Sequence, residues 1–151
     1  MSALGPRSTT ERRRDVLALL ASRLLDGWVA SGDGAGAHLV PLSVAWVGER
    51  LVICLRPDSP TASNIRDRGR ARIGMGPTRD VVMVDAELEE EHDPPDAPAA
   101  VVEGFAAQAD WDPRDETGYR FMVLRPVRIQ AWRDSAEIPG RTVMLRGAWK
   151  E

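Results

Sequence analysis

Short strand-forming segments that follow one another through brief connections are the feature that most limits the fold of this chain. From Trp28 onward the apolar runs are rich in Val, Ile and Leu, and glycines and prolines separate them. Runs of this kind predict strands and hairpins rather than long helices. Six or seven strands within 151 residues favour a closed or partly closed barrel, because closure removes exposed sheet edges.

One helix is predicted before the first strand. Ser8 and Glu11 have the spacing of a capping box, and apolar residues recur after them at helical intervals: Val16, Leu17, Leu20 and Leu24. We interpret three consecutive arginines as a solvated face of this helix: Arg12, Arg13 and Arg14. We therefore predict a single domain, in which residues 1–26 form the helical segment and residues 27–151 form the barrel.

The barrel is predicted to begin with a strand, "GWVAS", and a glycine-rich turn. A long run, "AHLVPLSVAWV", and a return strand, "LVICLR", then read as a hairpin. Pro41 marks a sheet edge, a bulge or a place where a ligand replaces a strand, because proline cannot donate to the ladder. We predict that Trp28 and Trp46, which lie in these strands, belong to the core.

Four later segments also read as strands: "ARIGMG", "DVVMVDAELEE", "YRFMVLRPVRIQAWR", which Pro126 breaks, and "RTVMLRGAW". A second long helix lies within "PDAPAAVVEGFAAQA", with Val101, Val102, Phe105 and Ala109 on its apolar side. The predicted fold class is mainly β, a β-barrel with a few helices. The helices are too few for a doubly wound parallel sheet.

The segment "RPDSPTASNIRDRGR" predicts a short helix whose first turn binds an anion. Ser59 suits the N-cap, Pro60 the first helical position and Gly69 the position after the helix, which runs from about Pro60 to Arg68. Free N–H groups and the helix dipole favour a phosphate there, and nearby side chains supply donors and charge: Arg56, Ser59, Thr61, Ser63, Asn64 and Arg66. An ordinary capped helix has the same pattern, so both interpretations stay open.

Composition argues against several classes of function. The net charge of −3 and the scarcity of Phe and Tyr disfavour a nucleic-acid partner. The single Cys54 permits no intrachain disulfide, and no apolar run has the length of a membrane span or a secretory signal, so we expect a cytoplasmic protein with no membrane partner. Two histidines without paired ligand spacing disfavour a metal site. His38 either faces a ligand or is a half-buried polar residue.

Taken in order, five segments resemble the pyridoxamine 5′-phosphate oxidase-like family of flavin-binding split β-barrels: "GAHLVPLSVAWVGERLVICL", "SPTASNIRDRGRARIGMG", "TRDVVMVDAELEE", "RPVRIQAW" and "RTVMLRGAW". The resemblance implies a split β-barrel of the FMN-binding type that forms a homodimer with two cofactor sites at the interface. It places the phosphate of FMN at the start of the Ser59 helix and the ring system along the preceding strand: Pro41, Leu42, Ser43, Val44 and Trp46. Trp149 either stacks near the ring of the partner subunit or packs in the interface.

The family often has a basic residue three positions before the asparagine of its phosphate turn. Asn64 matches that asparagine, whereas Thr61 occupies the basic position, which leaves open an 8-hydroxy-5-deazaflavin coenzyme in place of FMN. The resemblance implies an FMN-dependent oxidoreductase that transfers a hydride to or from a small molecule. The alternatives are a deazaflavin-dependent reductase, a non-catalytic flavin- or haem-binding protein and a dimeric domain whose site has decayed. No side chain is assigned a catalytic role.

Overall fold

A computed structural model describes residues 5–151, which form three α-helices and one antiparallel sheet of nine strands. The helices are α1 (Thr9–Leu20), α2 (Pro60–Arg68) and α3 (Ala99–Ala109). The strands are β1 (Asp26–Asp33), β2 (Gly36–Ser43), β3 (Ala45–Val47), β4 (Arg50–Leu55), β5 (Arg70–Met75), β6 (Val81–His92), β7 (Arg120–Trp132), β8 (Thr142–Leu145) and β9 (Ala148–Trp149). The predicted mainly-β class is confirmed, with more strands than the six or seven expected. Within residues 5–151, none of the helices combines the length and apolar character that crossing a membrane requires.

Strand β7 holds the sheet together because it pairs with three other strands. It runs antiparallel to β6 over nearly its whole length, while β4 pairs with its first half and β8 with its second half. The predicted break at Pro126 is wrong, since β7 continues through this residue. A register shift opposite Asp85 and Ala86 leaves Val127 without a partner in β6, and such a bulge is one of the places where a sheet accepts proline.

The predicted hairpin between the long apolar run and its return strand is correct only at its tip. The run divides at Val44, so that β2 turns back onto β1 while β3 alone pairs with β4. Val44 is fully buried and donates its backbone N–H to Leu25, which fixes the point where the chain leaves one pair of strands for the other. Pro41 lies in β2, the strand at one end of the sheet order, and its predicted edge position is confirmed.

The core has two parts, one on each side of β4. Leu51 and Ile53 belong to the barrel interior, whereas Cys54 belongs to a smaller cluster beneath α3. Burial on both faces explains why β4 reads as an unbroken apolar run instead of an alternating one. Gly104 lets α3 approach β3 closely, because a Cβ atom there would lie only 2.7 Å from a methyl carbon of Val47.

Helix α1 differs from its prediction in length and in the role of one arginine. Its Ser8 cap is confirmed, but the helix ends at Leu20 and Leu24 is exposed. Arg12 is not part of a solvated face, because it lies one turn before the core residue Val16 and is itself buried. Its guanidinium donates to three backbone carbonyl groups at the end of β7 and in the loop that follows: Ala131, Glu137 and Pro139.

The prediction that Trp28 belongs to the core is wrong, since 56% of its surface is exposed. Successive residues of a strand point to opposite faces, and in β1 the buried face carries Gly27 and Val29. Leu39 on the neighbouring β2 is 58% exposed. The outer face of β1 and β2 therefore carries two large apolar side chains that the described chain leaves uncovered.

We expect Glu137 to be a major source of stability. Arg7 donates to both of its carboxylate oxygens, at 2.7 and 2.9 Å, and these hydrogen bonds are the chief reason that the pKa of Glu137 falls from 4.5 to about 2. A carboxyl group whose pKa is lower in the folded state stabilises it above the unfolded pKa, by roughly 3 kcal/mol for this shift. That contribution is lost as the pH falls from 4.5 towards 2.

Urea unfolding of Glu137→Gln at neutral pH should therefore give a free energy of unfolding lower by about 3 kcal/mol than that of the wild type. The difference between the two proteins should shrink as the pH is lowered through this window. Glu89→Gln is the matched control, because Glu89 pairs with Arg50 in a partly exposed ion pair and should change stability by less than about 1 kcal/mol. Equal losses in both variants would contradict the prediction.

Candidate functional site

A cavity of about 520 Å³ lies in the gap between edge strand β2 and the end of β4. These two strands are not paired with each other, and no strand of the described chain bridges them. One wall of the cavity is β2 over residues 38–43, and the end of β4 with the first turn of α2 adds residues 54–56 and 59–61. Two aromatic side chains from the segment between α3 and β7 complete it, Trp111 and Tyr119.

The first turn of α2 gives the cavity a site for a negative group. The predicted bounds of this helix are confirmed, with Ser59 as N-cap and Gly69 in the left-handed conformation after its end, at φ 72°. The Ser59 hydroxyl accepts from the Ala62 N–H at 3.2 Å and donates to the Arg56 carbonyl at 2.8 Å. Pro60 has no N–H, so the N–H of Thr61 is the first-turn donor left for a ligand.

Arg56 adds a positive charge beside this turn. Its guanidinium lies over the ring of Tyr119, with 5.0 Å between the guanidinium carbon and the ring centroid. Within residues 5–151 no carboxylate lies within 4.0 Å of the Arg56 guanidinium. Arg66 of α2, in contrast, pairs with Glu91 at 2.6 Å. An arginine without an acidic partner at the rim of a cavity is suited to bind a phosphate or a carboxylate.

The structure brings six of the predicted site residues together around this cavity: Pro41, Leu42, Ser43, Arg56, Ser59 and Thr61. On β2 the alternation of the strand decides which side chains face inward, and residues 38, 40 and 42 are the less exposed set. The side chain of Pro41 therefore points outward, and its backbone is what borders the cavity. The two strands and the start of the helix thus meet at one cavity.

The other predicted residues do not line the cavity. Val44 lies in the barrel core, and Trp46 packs against that core while its backbone N–H donates to the Gln108 side chain at 2.8 Å. Ser63 is half-buried on α2, and the buried Asn64 donates to the Ser31 hydroxyl at 3.3 Å. Asn64 therefore joins α2 to β1.

The remaining two predicted residues lie on other surfaces of the molecule. Arg66 pairs with the carboxylate of Glu91, which also accepts a hydrogen bond from Arg120 at 2.8 Å. The hydrogen bond from Arg66 is the main reason that the pKa of Glu91 is lowered. Trp149 borders a separate depression beside β8 and β9, where the guanidinium of Arg13 lies 4.9 Å from its ring. Neither side chain reaches the cavity within a single subunit.

The sequence left His38 open between a ligand contact and a half-buried polar role, and it did not predict Trp111 and Tyr119 in the site. His38 faces the cavity, and its Nε2 atom is enclosed without a hydrogen-bond partner within the described chain. The alternation of His38 with Val40 and Leu42 was the signal that would have placed it there. Trp111 and Tyr119 had no comparable local signal, because they lie in an irregular segment whose position depends on the packing of α3. No group of three or more potential metal ligands occurs within residues 5–151.

Neither the protein-family models nor the curated proteins searched give a match to this sequence. Solved structures, in contrast, do match this chain in fold. An F420 reductase is 21% identical with a TM-score of 0.60, over 74% of this chain and 93% of that protein. A Listeria innocua protein assigned as a pyridoxamine 5′-phosphate oxidase is 16% identical with a TM-score of 0.60, over 80% of this chain and 98% of that protein.

An FAD-binding protein from Mesorhizobium loti is 17% identical with a TM-score of 0.59, and the match covers 78% of this chain and 89% of that protein. This chain has the split β-barrel fold of pyridoxamine 5′-phosphate oxidase-like proteins. The fold that the sequence resemblance implied is thereby confirmed. The cavity lies in the gap between β2 and β4 of this barrel.

The Cys54 thiol should be unreactive in the folded protein. Burial raises its pKa from 9.0 to about 12, which lowers the thiolate fraction at neutral pH roughly a thousandfold. Titration with an aromatic disulfide reagent should therefore show slow modification of the native protein and prompt reaction of one thiol per chain in concentrated urea. Prompt modification under native conditions would show that the end of β4 around Cys54 opens readily.

Proposed function

We propose that this protein binds FMN in the cavity between β2 and β4 and uses it to transfer a hydride to or from a small molecule. The observation that carries the proposal is the Arg56 guanidinium, which has no acidic partner within residues 5–151 and lies beside the first turn of α2, at a cavity that runs along an edge strand. The structural neighbours support a flavin-type ligand, since they include an FAD-binding protein and an F420 reductase.

The residues of the cavity fit such a ligand by their chemistry. A phosphate needs donors and positive charge, which Arg56, the Thr61 N–H and the end of the α2 dipole supply. A planar ring needs a flat, mostly apolar surface with a few polar groups, and the edge of β2 with Val40 and Leu42 has this character. The enclosed Nε2 of His38 is a polar atom still without a partner.

A bound flavin would supply the hydride chemistry itself. The chain's part is to hold the phosphate at Arg56 and α2, to align the ring along β2 and to exclude water with the apolar side chains on either side. These tasks require no strong acid or base. This agrees with a cavity that holds His38 as its one ring-nitrogen base, the buried Cys54 being protonated at neutral pH.

A deazaflavin coenzyme is the second candidate, on two observations. One structural neighbour is an F420 reductase, and Thr61 replaces the basic residue of the phosphate turn that the resemblance predicts. Titrations of the purified protein with FMN and with the 8-hydroxy-5-deazaflavin coenzyme distinguish the two. Saturable binding of FMN supports the first proposal, binding of the deazaflavin alone replaces it with the second, and binding of neither overturns both.

Arg56→Gln should weaken FMN binding by about tenfold to a hundredfold, since a charge-assisted contact to the phosphate is lost. Quenching of flavin fluorescence on titration with protein measures the affinity. Arg66→Gln is the matched control, because Arg66 is an arginine of the adjoining helix α2 that is already paired with Glu91 outside the cavity. An equal loss of affinity in both variants would rule out Arg56 as the phosphate ligand.

We also propose that a second copy of this chain covers the outer face of β1 and β2. Trp28 and Leu39 border an apolar depression of about 500 Å³ on that face, together with Met83 and Trp132. Patches of this kind on a folded domain mark interaction surfaces. Leu39 and His38 are neighbours on opposite faces of β2, so a homodimer formed through this patch brings the cavity of each subunit close to the interface.

Leu39→Asp should convert the dimer to a monomer, because it places a charge in the centre of the apolar contact. Sedimentation equilibrium of the purified variant and wild type measures the mass. Ile138→Asp is the control, since Ile138 is 43% exposed on a loop remote from β2 in sequence and outside the depression. A wild-type protein that sediments as a monomer, or a Leu39→Asp variant that stays dimeric, would contradict this interface.

A further inference from the structure

We infer that Trp111 and Tyr119 form an aromatic wall for the planar ring of the ligand, in which one of the two nearly perpendicular rings stacks on the ligand and the other contacts its edge. This inference rests on the proposed function and deepens it, because it assigns the side of the cavity that faces β2. Both side chains line the cavity and both are half-buried, so each keeps surface that a ligand can cover.

The position of the wall follows from the pairing of β4 with β7. Leu55 pairs with Arg120, so the residue before β7, Tyr119, lies beside the residue after β4, Arg56. Edge strand β2 lies across the gap on the other side of the cavity. A flat molecule that enters the gap therefore has a strand edge on one side and two aromatic rings on the other.

The wall is held in place by the core. The Trp111 and Tyr119 rings meet edge to face, with 4.9 Å between centroids and 82° between planes. The Trp111 ring also meets the ring of the fully buried Phe105 of α3, with 5.8 Å between centroids. The Phe105 ring in turn meets that of Phe121 of β7, with 5.4 Å between centroids. Because the rings are fixed before binding, stacking on them costs little additional conformational entropy.

The wall also defines the chemical class of the ligand. The guanidinium of Arg56 lies over the Tyr119 ring, so a site for an anion and a surface for an aromatic ring adjoin one another. The ligand is therefore a planar heteroaromatic molecule that carries an anionic group. Flavins and deazaflavins with a phosphate-bearing chain share this chemistry, and so does haem with its propionates.

The first test compares two substitutions at one position by calorimetric titration with FMN. Trp111→Leu removes the aromatic surface and should weaken binding about tenfold, in the range measured for base–aromatic stacking. Trp111→Phe keeps an aromatic ring and should retain affinity to within about threefold. Thermal unfolding of each variant without FMN establishes that both fold. A Trp111→Leu protein that folds and binds FMN as tightly as the wild type would overturn the inference.

The second test observes the ring of Trp111 directly in the wild-type protein. In wild-type protein labelled with ¹⁵N-tryptophan, FMN should shift the indole resonance of Trp111, assigned from its absence in Trp111→Phe, more than those of Trp28 and Trp132. Those two rings lie on the opposite face of the sheet and serve as controls. Saturable FMN binding without a Trp111 shift overturns the wall and leaves the proposed function standing.

Parallel titrations with FAD, the deazaflavin coenzyme and haemin distinguish the sources of this ligand chemistry. A shift of Trp111 with one of them, and no binding of FMN, keeps the wall and replaces the cofactor. If none of the four binds the wild-type protein, the wall and the proposed function both fail.

Discussion

The whole molecule depends on the pairing of β7 with three other strands. Its first half joins β4 and its second half joins β8, while β6 covers its opposite edge. Because one continuous strand supports all of these neighbours, the positions of β4 and of the barrel wall are fixed relative to each other. The β4 side of the gap is therefore held by the same strand that carries the rest of the barrel wall.

Two kinds of interaction make this gap into a candidate binding site. Local chemistry at the start of α2 leaves donors and positive charge at one side of it, through Ser59, Thr61 and Arg56. Long-range packing brings Trp111 and Tyr119 from the segment before β7 to lie beside Arg56, with Phe105 behind them. The site thus combines a short-range pattern visible in the sequence with a surface that only the assembled core creates.

The same division between local pattern and long-range packing separates what the sequence could predict from what it could not. The bounds of α2 were predictable because its cap, its first proline and its final glycine are local signals. The burial of Arg12 was not, since three adjacent arginines look alike until the carbonyl groups at the end of β7 select one of them. Trp28 was misplaced because alternation identifies two faces of a strand without saying which one the barrel encloses.

The unpaired edge of β2 has a consequence for the protein before any ligand arrives. A row of free N–H and C=O groups beside an open gap is a template on which a strand from another chain can assemble. Pro41 removes one donor from the middle of that strand, and proline is one of the residues that natural proteins place on such edges. This residue therefore protects the ligand-free protein against aggregation through the same edge along which a ligand would lie.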